Sequence, residues 1–493
     1  MLAATQARGA PRIVGRHELL HMSAVRMAAL IREGALSSRT AVEAHISEVE
    51  RVNPRIRAMV VDRFAAARRE ADRADELVRA RAPETAAPFF GVPCSVKESF
   101  AVAGMPQTGG LKARADHYPT EDATAVARLR AAGAIPLGVT NVSELCMWYE
   151  SHNTVYGRTS NPYDPGRIAG GSSGGEGALV GAGATPMGLG ADIGGSIRIP
   201  AFFCGVFGHK STGGVVPATG SFPVPENEAL RYMVSGPLCR RAEDLMPFLR
   251  AVAGPAGIDP GCQPVALGDE RDVPIEGLRV VSIETNGTTR VHPELTAAQR
   301  RVADHLARRG ARVETVRLAA LRHSFAIWSS MLSAAAETSF HEMLGHGREL
   351  PLGRELGRYA LGRSAHTLPA LALALLEKLP TYHGARGQAY VAMGRTLQSE
   401  LEALIGPSGV LLYPPFATLA PRHRVPLVQP FAFVYTAILN VLEMPATAVP
   451  LGLGKQGLPL GVQVAARRGA DHLTIGVALE LERAFGGWVK PTR

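Results

Sequence analysis

Cysteine is scarce in this chain: five residues in 493, Cys94, Cys146, Cys204, Cys239 and Cys262. The number is odd, no Cys-x-x-Cys occurs, and no His/Cys cluster has zinc-ligand spacing. A disulfide framework and a structural metal are therefore not expected. Long apolar runs are missing too. No stretch reaches the 18 or so residues of a membrane span, and the N-terminus, MLAATQARGAPRIVGRHELL, lacks the apolar core of a signal peptide. Charge of one sign is nowhere concentrated. The net charge of +9 arises from 53 basic and 44 acidic side chains, with no run of five like charges. That distribution suits a solvated surface better than a nucleic-acid footprint. The expectation is a cytoplasmic protein with no nucleic acid as partner. Peripheral membrane contact is the lesser expectation.

What the chain does contain is ordinary for a large folded core, 46% hydrophobic and 20% charged residues. Residues 1–20 have no periodicity and read as a loose arm. The spacing predicts helices over 23–52, broken at GALSS, and over 59–83. FFGVPCSVKESF is a short apolar run ending at a lysine. DATAVARLRAAGAIPLGVT reads as a helix, a glycine stop and a buried strand. Further strands are expected at 187–191, 276–287, 409–415 and 458–466, with a closing helix at 471–485. Residues 205–223 read as loop and 320–405 as helical. Alternation of this kind predicts an α/β fold. No repeat, linker or shift of composition marks a border, so residues 21–493 read as one large domain.

Glycine is abundant in one place. GGSSGGEGALVGAGATPMGLGADIGGSIRIP, residues 170–200, holds eleven glycines and three serines. Each glycine within an element costs about 0.5–1 kcal/mol relative to alanine, so such a block signals close backbone approach. Ser172 matches a G-x-S-x-G nucleophile elbow, but the preceding SNPYDPGRIAGG is loop rather than strand. A phosphate loop would need Gly-Lys-Ser/Thr where Glu176 stands. Ser196 follows a strand and a Gly-Gly turn, where several backbone N–H groups can converge on one oxygen. A nucleophilic serine needs a base. The histidines, among them His152, His209 and His472, form no recognisable partner arrangement. Lys97, at the end of its strand, would be a neutral base if buried. Taken singly, a Gly-Ser turn without a role and a solvated lysine are the plainer readings.

Together, GVPCSVKESF, GGSSGGEGAL and GADIGGSIRIPA resemble the lysine motif and the two serine motifs of the amidase signature family. The separations also match: 75 residues from Lys97 to Ser172 and 24 from Ser172 to Ser196. The likeness runs from about residue 25 to 489 and is weakest over 225–405. NPYDPGRIAGGSSGGEGA, DIGGSIRIPAFFCGVFGHK and FGGW draw it toward the fatty acid amide hydrolase branch. The resemblance implies one domain with a central mixed, twisted sheet covered by helices on both faces. It implies that Ser196 is the nucleophile, that Lys97 is the neutral base, and that Ser172 passes protons between them. The N–H groups of Ile193, Gly194, Gly195 and Ser196 would form an oxyanion hole. Ser173, Asp192 and Arg198 would hold the loops, with no metal or organic cofactor. Cys146 and Met147, with Trp148 and Tyr149 nearby, fall where that branch lines its acyl channel; core packing is the alternative. The apolar helix 368–382, within a variable lid region at about 320–405, is open between lid, membrane cap and core.

The function so implied is cleavage of hydrophobic acyl or aryl amides, with carbamates and esters as further substrates. The partner is a small-molecule amide, and the protein a monomer or homodimer. Two other readings stand beside it. One is the glutamine-dependent amidotransferase subunit acting on misacylated tRNA. DIGGS and HKSTGGVVP depart from its pattern, which has threonine before those glycines and Tyr-Gly-Arg after the lysine. The other is a non-catalytic binding protein of the same fold.

Overall fold

Three strands carry the middle of the molecule, and none exposes a side chain. Pro93–Lys97, Ile135–Thr140 and Met187–Asp192 are buried throughout. Strands covered on both faces read as continuous small and apolar runs, which is how these three look in the sequence. The computed structural model describes residues 15–377 and 384–492.

Among the described residues, eleven strands form one sheet. Its order is Met59–Asp62, Ile135–Thr140, Pro93–Lys97, Met187–Asp192, Val234–Cys239, Phe207–Lys210, Ala446–Leu453, Pro459–Ala465, Val410–Tyr413, Arg279–Ser282 and Arg312–Thr315. The sheet is mixed. Pro93–Lys97 runs parallel to both its neighbours, whereas the strands from Met187–Asp192 to Val410–Tyr413 pair antiparallel. Successive residues enter different cores: Leu238, Ala448 and Val206 join Val180, Ala201 and Trp488 on one side, while Cys239, Val449 and Phe207 join the large core with Phe248, Val302 and Val477. Helices thus cover both faces, the layered α/β arrangement. No helix among the described residues is long and apolar enough to cross a membrane.

Several expected boundaries move. The helix predicted over 59–83 is a strand, Met59–Asp62, then a helix, Phe64–Ala80. The β-branched stretch in MVVD forms the edge strand of the sheet, beside Ile135–Thr140, before the charged helical pattern begins. Structure starts inside the expected arm, since the helix Arg16–His21 buries Leu19 and Leu20; residues 1–14 lie outside the described residues. The stretch read as loop at 205–223 contains the strand Phe207–Lys210. Residues 320–405 form a series of helices joined by short non-helical connections where described, and the apolar helix runs Leu368–Glu377, with 378–382 outside the described residues.

The end of the chain closes one face. Trp488 is buried, donates its indole N–H to Gly181 O at 2.9 Å, and lies 5.6 Å from the Arg240 guanidinium. Trp488→Ala is expected to lower stability by about 3–5 kcal/mol. Urea unfolding would show this as a lower midpoint at unchanged slope. An unchanged midpoint would mean that the chain end is not part of the core.

Candidate active site

The strand Pro93–Lys97 ends by delivering one cation into the core. Lys97 is 1% exposed, and its Nζ lies 2.7 Å from Ser172 Oγ. Burial pushes the Lys97 amine below the ordinary lysine range, against the opposing pull of Cys146, Asp192 and Glu176. Glu176, read in the sequence only as an obstacle to phosphate, is buried next to this strand. Its carboxylate accepts from Ser95 Oγ at 2.6 Å and Thr140 Oγ1 at 2.7 Å. Burial pushes it up to about 7, opposed by those two hydroxyls and by Lys97.

Ser172 and Ser173 lie at the start of the helix Gly174–Gly181, after the cis peptide Gly171–Ser172. Ser151, which the sequence did not single out, holds this loop from below. Its Oγ donates to Ser172 O at 3.0 Å and accepts from Gly174 N at 2.9 Å. The glycines allow backbones to touch: a Cβ on Gly171 would lie 2.6 Å from Trp148 O, and one on Gly177 2.7 Å from Pro200 Cβ. Ser173 joins the two serine motifs, since its N–H donates to Ser196 O at 3.2 Å and its Oγ to Ala191 O at 3.2 Å.

The second serine stands on a turn between the strand Met187–Asp192 and the helix Arg198–Phe203. Gly195, at φ +118°, has no room for a side chain, because a Cβ there would collide with Thr436. Asp192 grips the turn, accepting from Gly195 N at 2.6 Å and Ile197 N at 3.1 Å. Arg198 meets the same carboxylate through Nε and Nη2, both at 3.1 Å, with neither side chain exposed. Although burial works against the charge, Arg198, Asn440 and the backbone N–H groups hold Asp192 well below the usual carboxylate range. Arg198 also donates to Asn440 Oδ1 at 2.6 Å and Gln463 Oε1 at 3.0 Å.

Of the four N–H groups expected to form an oxyanion hole, one already has a partner within the turn. The Gly195 N–H is taken by Asp192, and Gly195 does not line the cavity above the turn, whereas Ile193, Gly194 and Ser196 do. Among the described residues, no hydrogen bond occupies the N–H of these three.

That cavity has a volume of about 590 Å³, within the usual range for small-molecule sites. Cys146, Met147, Trp148 and Tyr149 all line it. Leu145 and Cys146 are both left-handed, at φ 50° and 57°, which side chains rarely tolerate and which turns this segment toward the cavity. The opposite wall comes from Phe325, Trp328 and Leu332 on the helix Ser324–Ala335, with Phe431 and Phe433. The helix Leu368–Glu377 forms the outer end, burying Ala370, Leu371 and Ala374 while leaving Leu375 and Leu376 exposed. It is both cavity wall and partly packed core. A second hollow, about 630 Å³, abuts that end among Glu337, Glu342, Glu349 and Glu377, and none of the sequence-predicted site residues line it.

Asn440 and Gln463 had a visible signal, a single polar residue inside the apolar runs AILNVL and GVQVAA. Ser151, Trp328 and Thr436 had none.

Arg198→Met is expected to destabilise the protein by about 3–5 kcal/mol, because it leaves Asp192 charged, buried and unpaired. The folded Asp192 carboxyl titrates below its unfolded value, so its contribution is present above about pH 4 and is lost as pH falls further. Wild-type stability should therefore drop on acidification, and the variant's should depend less on pH in that window. Equal stability of the two proteins at pH 7 would refute the clamp.

The Amidase family matches residues 40–475. The chain is 46% identical over 489 residues to fatty-acid amide hydrolase 2-B of Danio rerio and 43% identical over 489 residues to fatty-acid amide hydrolase 2 of Homo sapiens; in each case 96% of this chain and 91% of the relative are covered. Among solved structures, 6-aminohexanoate cyclic dimer hydrolase with bound substrate superposes with a TM-score of 0.81 at 28% identity, over 96% of this chain and 99% of that one. With the family matched over most of its length and relatives well above 30% identity, the chain belongs to the amidase family and is an amide-hydrolysing enzyme close to fatty-acid amide hydrolase 2.

Proposed function

We propose that the protein hydrolyses amides of hydrophobic acyl or aryl acids, with carbamates and esters as further substrates, through an acyl-enzyme on Ser196. The observation that carries this reading is a desolvated Lys97 in contact with Ser172, set below an apolar cavity that Ser196 lines. A neutral lysine amine takes a proton through Ser172 as Ser196 Oγ attacks the carbonyl carbon. The carbonyl oxygen gains negative charge toward the free N–H groups of Ile193, Gly194 and Ser196. The C–N bond then breaks, the proton returns through Ser172 to the leaving nitrogen, and water cleaves the Ser196 ester by the same route in reverse. Burial favours the amine at rest, while Cys146, Asp192 and Glu176 favour the ammonium that Lys97 briefly becomes. These opposing effects suit a group that must accept a proton and then give it back.

The apolar, aromatic lining supports a lipophilic acyl group. So do the names of the two relatives that act on fatty-acid amides. The test is a series of acyl anilides of increasing chain length, run with wild type and Ser196→Ala. Each CH₂ newly buried is worth about 0.8 kcal/mol, so kcat/KM should rise up to about fourfold per carbon until the cavity is full. Ser196→Ala should be inactive throughout. A preference for short or aryl acids would move the substrate class toward aryl acylamides, and an active Ser196→Ala would refute the mechanism.

The rate should also report the lysine. The reacting form is the neutral one, so kcat/KM should climb with pH and level off below the ordinary lysine value of about 10.4. A profile with its maximum on the acid side would rule Lys97 out as the base.

A further inference from the structure

In a trans peptide the C=O of one residue and the N–H of the next lie in one plane and point in opposite directions. Whatever holds a carbonyl therefore aims the following N–H. Each carbonyl in the turn 192–195 is held. Asn440 Nδ2 donates to Asp192 O at 2.9 Å, which orients the Ile193 N–H. Thr436 Oγ1 donates to Gly194 O at 2.9 Å, orienting the Gly195 N–H that Asp192 receives. Ile199 N donates to Gly195 O at 2.7 Å and so orients the Ser196 N–H. The fourth partner is Trp328, whose Nε1–H donates to Ile193 O at 3.0 Å and so orients the Gly194 N–H.

Trp328 differs from the other three in that its side chain is both the donor and cavity wall; Ile199 also lines the cavity but donates through its backbone N–H. Asn440, Thr436 and Ile199 come from the helix Val434–Val441 and the helix Arg198–Phe203. Trp328 belongs to the helix Ser324–Ala335, and its ring is cavity wall. It packs edge-on against Phe433, with centroids 5.0 Å apart at 81°. A Cβ on Gly194 would lie only 3.5 Å from its Cζ2, so the indole rests directly on the turn. An acyl chain filling the cavity would press on the same ring that aims an oxyanion donor.

We propose that Trp328 is a positioning residue that makes the Gly194 N–H depend on the occupied acyl cavity, so that chain length is read in kcat as well as in binding. The proposal rests on the acyl-enzyme reading above. Binding energy from a remote part of the substrate is thereby used at the reacting carbonyl.

The test replaces Trp328 in two ways. Trp328→Phe keeps an aromatic wall, and β-(3-benzothienyl)alanine at position 328 keeps the whole bicycle while removing only the N–H. Both are compared with wild type, Ser196→Ala and the wall variant Leu332→Ala over the anilide series. Loss of one well-aimed oxyanion donor costs about 10²–10³ in kcat, so a donor left in place but loosened should cost about 10- to 100-fold, with KM within about threefold of wild type. The rise of kcat with acyl length should flatten in both Trp328 variants. Leu332→Ala should instead raise KM. Benzothienylalanine enzyme with wild-type kcat overturns the proposal, as does a change confined to KM or a kcat loss of equal size in Leu332→Ala. These outcomes leave the underlying reading intact if Ser196→Ala is dead. An active Ser196→Ala removes both.

Discussion

The buried ion pair between Asp192 and Arg198 is the contact on which the rest of the site depends. Two charges with no exposure are costly to hold in a protein interior, and their attraction offsets that cost only when the remaining hydrogen-bonding capacity is also met. Here it is met from four directions. Asp192 takes two backbone N–H groups of the turn, Arg198 reaches Asn440 and Gln463, and Gln463 donates to Pro414 O and Tyr435 O. The strand Met187–Asp192, the helix Arg198–Phe203, the helix Val434–Val441 and the strand Pro459–Ala465 are thus joined at one point. The turn that carries Ser196 is fixed by segments some 240 to 270 residues away in the chain.

A second constraint is the balance of charge at Lys97. Burial alone favours a neutral lysine, whereas close carboxylates alone would keep it charged. The structure combines the two, with Glu176 and Asp192 close enough to act on Lys97 but neither bonded to it directly. Glu176 acts on it through space, since the Ser95 and Thr140 hydroxyls occupy its oxygens. This arrangement explains why a glutamate sits inside a glycine-rich helix start, where the sequence suggested only repulsion of anions.

How far the site was legible follows from sequence distance. Lys97, Ser172 and Ser196 lie in motifs of about ten residues whose local chemistry shows, namely an apolar run ending in a cation and serines among glycines. Asp192 and Arg198 lie within the second serine motif and could be assigned to loop support, and in the structure both bond the turn. The N–H groups proposed as oxyanion donors were legible only as a group. Nothing local distinguishes Gly195 from Gly194, because the difference is a hydrogen bond to a side chain three residues back. Trp328 and Thr436 were invisible, since a tryptophan in an apolar helix and a threonine in another look like core. The fold shows the same pattern. The long helices and the parallel strands were readable from periodicity, but Phe207–Lys210 is a four-residue strand containing a histidine and a lysine, set among glycines. Its burial comes from neighbours distant in sequence, the adjoining strands and the helix Asp471–Phe485, whose Asp471 bonds His209.

The glycine block can now be judged by what its neighbours require. A side chain on Gly188 would strike the Glu176 carboxylate, one on Gly175 the backbone of Asn141, and one on Gly181 the backbone of Cys204. These positions let the helix Gly174–Gly181 lie against a strand and a second helix at backbone distance. Ala178, Leu179 and Val180, on the same helix, carry the apolar contacts instead. The entropic cost of glycine is therefore incurred where two backbones must meet, and larger residues return where a core must be filled. Closeness of this kind has a chemical use. Lys97 and Ser172 come from separate motifs, and with ordinary side chains between the strand and the helix they would stand too far apart for the 2.7 Å contact that links them.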